Sequence, residues 1–151
     1  MRHHIEVDQS GKIERTQVNT VLAFSDGIKA SILILGVEKR ECLRRLRQRG
    51  GSVSILYLKL FASALFLLLR DYLDQLEVVT IDMEYPGKEA EVRAMLLNHI
   101  WRIAPAFSKD QIAFGEIGKK SPAHYSALAV FRGEEEPGRR VRASELLRLL
   151  K

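Results

Sequence analysis

The sequence predicts an α/β domain in which a five-stranded mixed sheet, with its first three strands antiparallel, carries helices on both faces. Three observations lead to this prediction. The chain opens with short segments that alternate apolar and polar residues, or are wholly apolar, as strands do. A long apolar helical segment follows them. Further apolar strand segments then alternate with helical ones, a pattern that gives parallel pairing through right-handed crossovers.

The first three strands are predicted to be joined by turns. In residues 5–9, Ile5 and Val7 share one face of a strand while Glu6 and Asp8 share the other. A Ser-Gly-Lys turn follows, and residues 18–25 and 28–35 are predicted as the second and third strands, joined at Asp26-Gly27.

The remaining elements are placed by capping and breaking residues. Gly50 and Gly51 end a short basic helix, and Ser52 is a plausible N-cap for the long apolar one. Ser121 and Pro122 mark the start of a later helix. The predicted elements are helices over 37–49, 52–75, 88–106, 121–131 and 143–150, and strands over 76–85 and 111–117.

The chain of 151 residues is long enough for one domain with a sizeable core. We expect that domain over residues 1–132, and a linker with a short C-terminal helix packing on it over residues 133–151. Apolar residues make up 46% and charged residues 28%, which excludes a disordered chain. Cys42 is the only cysteine, which excludes an intramolecular disulfide and a cysteine-rich zinc site. With no apolar signal segment at the start, we expect a cytoplasmic protein.

Asp8 and Asp82 lie inside apolar segments, the predicted first and fourth strands. A carboxylate in a buried strand is costly unless something compensates it, and a bound cation is one such partner. The alternatives are structural: Asp8 could cap the turn that follows it, and Asp82 could accept a hydrogen bond from a neighbouring loop.

This order of elements, with aspartates in the first and fourth strands, resembles the ribonuclease H-like superfamily over roughly residues 4 to 132. The resemblance implies that Asp8 and Asp82 bind Mg²⁺ or Mn²⁺, and that His124 fills the place of the group contributed by the last helix. The chain departs from the pattern in the long helix, where Lys59 aligns with the usual glutamate. Lys59 could snorkel to solvent, or replace a cation by pairing with an aspartate.

Phosphodiester hydrolysis in this architecture uses divalent ions about 4 Å apart, held by oxygen ligands. Asp8 could bridge such ions and Asp82 could hold one of them. Either Glu84 or Glu6, each two residues from an aspartate on the same strand face, could supply the missing carboxylate. His124 could ligate or relay a proton.

Two basic regions are candidates for nucleic-acid contact. The run 37–49 carries six basic and two acidic residues, and Arg40, Arg44 and Arg47 follow helical spacing along one side. Lys119 and Lys120 precede a helix N-terminus, where a phosphate is favourably held. The formal net charge of +5 agrees with a polyanionic partner, although a solvated helix face explains the run 37–49 equally well.

Residues 53–69 are apolar enough to suggest a membrane span, but the stretch is short and contains Lys59. We therefore expect no membrane association. The helix is predicted either to be buried on all sides or to give one face to a homodimer contact.

Two functions follow from these residues. The first is a metal-dependent nuclease acting on DNA or RNA, with Asp8, Asp82 and Glu84 as ligands and His124 beside them. The second is a non-catalytic ribonuclease H-like module that binds nucleic acid or a protein partner. An ATPase is disfavoured because the chain contains neither a P-loop nor a dinucleotide-type glycine pattern.

Overall fold

The structure is a computed structural model that describes residues 2–150. Met1 and Lys151, the outermost residues of the two predicted segments, lie outside the described residues. The strands are β1 (His3–Ser10), β2 (Thr20–Asp26), β3 (Ile28–Ile34), β4 (Leu76–Asp82), β5 (Ile112–Gly115) and β6 (Arg139–Arg140). The α-helices are α1 (Gly36–Gln48), α2 (Val53–Leu69), α3 (Glu89–Trp101), α4 (Pro122–Phe131) and α5 (Ala143–Leu149).

The strands form a single mixed sheet in the order β5-β4-β1-β2-β3-β6. The β1–β2 and β2–β3 pairs are antiparallel, whereas β4 lies parallel to both β1 and β5. The predicted α/β class, with an antiparallel opening, is therefore confirmed. Because β1, β4 and β5 are parallel, their last residues meet at one edge of the sheet, which we call the C-terminal edge.

The predicted strand count of five is wrong, because the described residues form six strands. The additional strand, β6, pairs in parallel with β3 and lies in the segment predicted as a linker. It consists of two arginines, so it shows neither the length nor the apolar alternation that marks a strand in a sequence.

Both faces of the sheet are covered by helices. One face packs Ile5, Val7 and Phe24 against α1, α2, α3 and α5 in the larger core. The other face packs Val21, Ala23 and Leu33 against α4 in a smaller cluster. Since side chains alternate along β1, Asp8 belongs to the face that α4 covers.

The long apolar helix is the centre of the larger core. Ser52 caps it as predicted, its hydroxyl accepting a hydrogen bond from the amide of Ile55. The helix ends at Leu69, and a 3₁₀ helix over Arg70–Gln75 completes the segment predicted as one helix. The segment Val53–Gln75 has the length and hydropathy of a membrane span, yet 67% of its apolar window is buried inside the domain. This burial is consistent with a soluble protein.

Candidate metal centre

Asp8 and Asp82 meet at the C-terminal edge because their strands are neighbours in register. Val7 of β1 pairs with Ile81 of β4, and each aspartate is the next residue along its strand. Asp8 is 5% exposed and Asp82 is partly exposed. Oxygen atoms of Asp8, Asp82 and Glu84 all lie within 4.8 Å of one another. Three carboxylates thus converge on one point.

Glu84 joins this cluster by a different route from the one predicted. The prediction extended the fourth strand to residue 85 and placed Glu84 on the face of Asp82 by alternation, which is wrong because β4 ends at Asp82. The chain bends there, and the amide of Glu84 donates to the carbonyl of Asp82 at 2.9 Å. A turn, and not the pleat of a strand, brings the Glu84 carboxylate back to Asp82.

Burial and mutual repulsion raise the pKa of two carboxyl groups in the cluster. Burial raises the pKa of Asp8, and the charge of Asp82 raises it further, while the hydrogen bond from His124 opposes both. Burial also raises the pKa of Glu84 to about 7, reinforced by a hydrogen bond with Asp82 and opposed by the nearby Lys12 ammonium. Near neutral pH one of the three carboxyls therefore tends to keep its proton.

Each aspartate has a partner that fixes its orientation. His124 Nδ1 lies 2.9 Å from Asp8 Oδ2 and donates a hydrogen bond to it, and the other ring nitrogen, Nε2, makes no hydrogen bond within residues 2–150. The amide of Ile117 donates to Asp82 Oδ1 at 3.0 Å. These hydrogen bonds hold both carboxylates in place at the C-terminal edge, where they face Glu84.

His124 reaches Asp8 because α4 begins where the sequence predicted. The Ser121 hydroxyl accepts from the amide of Ala123, and Pro122 occupies the first helical position. The same hydroxyl donates to Glu6 Oε1 at 2.9 Å. Glu6 is therefore engaged with the start of α4, and it does not belong to the group formed by Asp8, Asp82 and Glu84.

The long helix contributes no charge to the cluster. Lys59 is exposed and makes no ion pair with Asp8 or Asp82 among the described residues, so its proposed pairing with an aspartate is not observed. Phe61 lies at this point instead, lining a small space with Asp82 and Glu84 and packing against the Tyr85 ring. The side of the site that faces α2 is apolar.

The predicted basic residues fall in two exposed places. Arg40, Arg44 and Arg47 line one open groove of about 370 Å³. The Arg40 guanidinium donates to the carbonyl of Thr16 at 2.7 Å, and Arg44 pairs with Glu41. Lys119 and Lys120 are exposed in the loop between β5 and α4.

Lys39 was not predicted to have a structural role, yet its side chain is fully buried. Its ammonium donates to the carbonyls of Lys12 and Arg15, at 3.2 and 2.8 Å, and to the Thr20 hydroxyl at 3.0 Å. Burial lowers the pKa of Lys39 to about 8. These bonds hold the loop that carries Lys12 towards Glu84. Helical spacing could have predicted that Lys39 is buried, because residue 39 lies on the same side of α1 as the buried Cys42, Leu43 and Leu46.

No family model, curated protein or solved structure matches this chain. The ligand of the site is therefore inferred from the side chains that form it. Three oxygen donors, partly buried and mutually repelling, suit a hard divalent cation such as Mg²⁺ or Mn²⁺.

Proposed function

We propose that the chain is a divalent-metal-dependent nuclease with a ribonuclease H-like fold, which hydrolyses phosphodiester bonds of nucleic acid in the cytoplasm. The observation that supports this most directly is the convergence of Asp8, Asp82 and Glu84 within 4.8 Å at the C-terminal edge. The pairing of β1 antiparallel to β2 and parallel to β4 agrees with the element order on which the resemblance was based.

In this proposal Asp8, Asp82 and Glu84 hold Mg²⁺ or Mn²⁺. The bound ions would supply charge stabilisation at the phosphoryl oxygens and a water of lowered pKa. Asp8 is kept in position by His124, and Asp82 by the Ile117 amide. Phe61 closes the side of the site that faces the core.

His124 is proposed to carry a proton and not to bind metal through Nδ1. That nitrogen already donates to Asp8, so Nε2 is the atom that can exchange a proton with a reacting oxygen. The Asp8 carboxylate behind the ring holds one tautomer of the imidazole. A histidine arranged in this way can pass a proton between Nε2 and a leaving oxygen.

The substrate is proposed to be a nucleic acid because the site is bordered by cations. Lys12 lies close enough to Glu84 to lower its pKa, and Lys119 and Lys120 are exposed beside the start of α4. Arg40, Arg44 and Arg47 provide a second group of positive charges for phosphates.

The test is Mn²⁺ binding, measured by calorimetry, together with cleavage of branched, hybrid and single-stranded substrates. We expect binding and metal-dependent cleavage in the natural sequence, and loss of both in an Asp8→Asn, Asp82→Asn double variant. Asp71→Asn, Asp74→Asn is the matched control, since both aspartates are exposed in the 3₁₀ helix that follows α2. If the natural protein neither binds Mn²⁺ nor cuts any of these substrates, the nuclease proposal is excluded.

A second candidate is a non-catalytic module with the same fold that binds nucleic acid or a protein. The apolar Phe61 at the place where α2 approaches the cluster favours it, because the site then has three carboxylates and none from the helix. A salt-dependent affinity for nucleic acid, with no metal binding and no cleavage, would support this module.

A further inference from the structure

An apolar pocket adjoins the cluster of carboxylates. It has a volume of about 270 Å³ and is formed by the first two turns of α2 together with Tyr85. Tyr85 also lines, together with Asp82 and Glu84, the small space beside the candidate metal centre, so the pocket and the centre share this side chain. Glu14 and Lys88 complete its lining.

The lining combines flat apolar surface with two charges. Tyr57 and Tyr85 are half-buried and pack on the core, while Ile55 in the first turn of α2 is 46% exposed. The Tyr85 hydroxyl donates to Glu14 Oε1 at 3.3 Å, which fixes the ring. Lys88 is exposed at the start of α3. The pocket therefore offers a stacking surface with an ammonium group beside it.

We propose that this pocket binds a nucleobase of the substrate strand, next to the phosphate held at the carboxylates. This inference rests on the proposed function. At about 270 Å³ the pocket is smaller than those that enclose drug-sized ligands, roughly 300–1,000 Å³, so it suits one planar ring system. Stacking on aromatic side chains is a general way to hold unpaired bases.

The charges agree with a nucleotide as the occupant. Lys88 can pair with the phosphate of the nucleotide whose base fills the pocket. Glu14 Oε1 accepts from Tyr85, and its second oxygen can accept from a base N–H group. A base must be unpaired to enter, so the substrate has a single-stranded nucleotide beside the cleaved bond.

The experiment compares the affinity for two strands of about ten nucleotides, within the range of known single-strand sites, one with all its bases and one fully abasic. Both carry the same phosphates, so the ratio of their affinities reports the contribution of the bases. Binding is measured by fluorescence anisotropy with EDTA present, so that no strand is cut. Stacking of one base corresponds to a ratio of roughly five- to hundredfold.

Two variants and one control test the pocket. Ile55→Ser changes an exposed side chain, and Tyr57→Leu keeps the apolar packing while removing the flat ring. We expect each to lower the ratio at least fivefold, again the contribution of one stacked base. Ile103→Ser is the matched control, because Ile103 is 57% exposed and lies beyond α3 near the opposite edge of the sheet.

The outcomes separate the two proposals. If Mn²⁺-dependent cleavage is present but both pocket variants keep the natural ratio, the nucleobase pocket is overturned and the nuclease stands. If the variants lower the ratio but no cleavage or Mn²⁺ binding occurs, the pocket stands and the nuclease does not. If the natural protein binds neither strand, the nucleobase proposal is overturned. That result would favour an apolar side chain of a protein partner as the occupant of the pocket.

Discussion

Replacing Glu84 by glutamine should stabilise the protein in the absence of metal. Glu84→Gln keeps the size and shape of the side chain but removes one negative charge from beside Asp82 and Asp8. In the natural chain that charge is unfavourable, because burial and the two aspartates raise the Glu84 pKa from 4.5 to about 7. The glutamine also loses a metal ligand, so stability and metal affinity should change in opposite directions.

The magnitude follows from linkage between protonation and folding. At about 1.36 kcal/mol per pKa unit, a pKa of about 7 against 4.5 corresponds to about 3 kcal/mol. Because Glu84 is partly exposed, screening by solvent reduces this to about 1–2 kcal/mol.

The pH dependence has a definite sign. Below pH 4.5 the carboxyl is protonated in both the folded and the unfolded chain, so the substitution should have little effect. Between pH 4.5 and 7 the unfolded chain loses this proton first, so the natural protein loses stability as the pH rises. The full advantage of Glu84→Gln is therefore expected above pH 7.

The assay is urea unfolding at pH 4.5 and pH 8 with EDTA, repeated at pH 8 with Mn²⁺. A ligand at about 100 times its dissociation constant stabilises a protein by about 2.7 kcal/mol, and Glu84→Gln should lose most of this gain. Glu136→Gln is the control, since that side chain is 92% exposed. A Glu84→Gln variant that is no more stable than the natural chain at pH 8, or whose advantage is as large at pH 4.5, would contradict this prediction.

Three further predictions concern buried polar groups. His99 is buried beside Ser63, and burial lowers its pKa, so the free energy of unfolding should fall as the pH drops below 6.5. The variant His99→Leu should show a smaller fall, measured as the urea midpoint between pH 7 and pH 5. Lys39→Met leaves three acceptors without their donor and should cost about 2–3 kcal/mol, with faster amide exchange in residues 11–19; unchanged exchange would contradict this. Ser121→Ala removes a cap and the bond to Glu6 and should cost about 1–2 kcal/mol in thermal unfolding. The matched Ser126→Ala should cost little, because the Ser126 hydroxyl has no partner among the described residues.

Features that depend on neighbouring residues were predictable from the sequence. The caps at Ser52 and Ser121 were confirmed because a capping hydroxyl bonds an amide only two or three residues away. The meeting of Asp8 and Asp82 also followed, because it needs only that β1 and β4 pair in parallel and end at one edge.

The orientation of α2 was not predictable. Every position from residue 60 to 69 is buried, so this part of the helix has no polar stripe that would show which side faces the end of the sheet. Lys59 was therefore aligned with the site, although Phe61 borders it. Glu84 reached the cluster through a bend after β4, which strand periodicity does not describe.

The segment that ends in β6 has a consequence for how copies of the chain can associate. It runs beside β3, where Gly138 donates to the Ser31 hydroxyl, Lys29 pairs with Glu135, and β6 bonds to Ile32 and Leu33. The outermost strands are thus two residues long on one side and four on the other, too short to template the addition of a foreign strand. The sheet therefore leaves only a short stretch of backbone at each edge for pairing with a second copy, as expected of a sheet that disfavours edge-to-edge association.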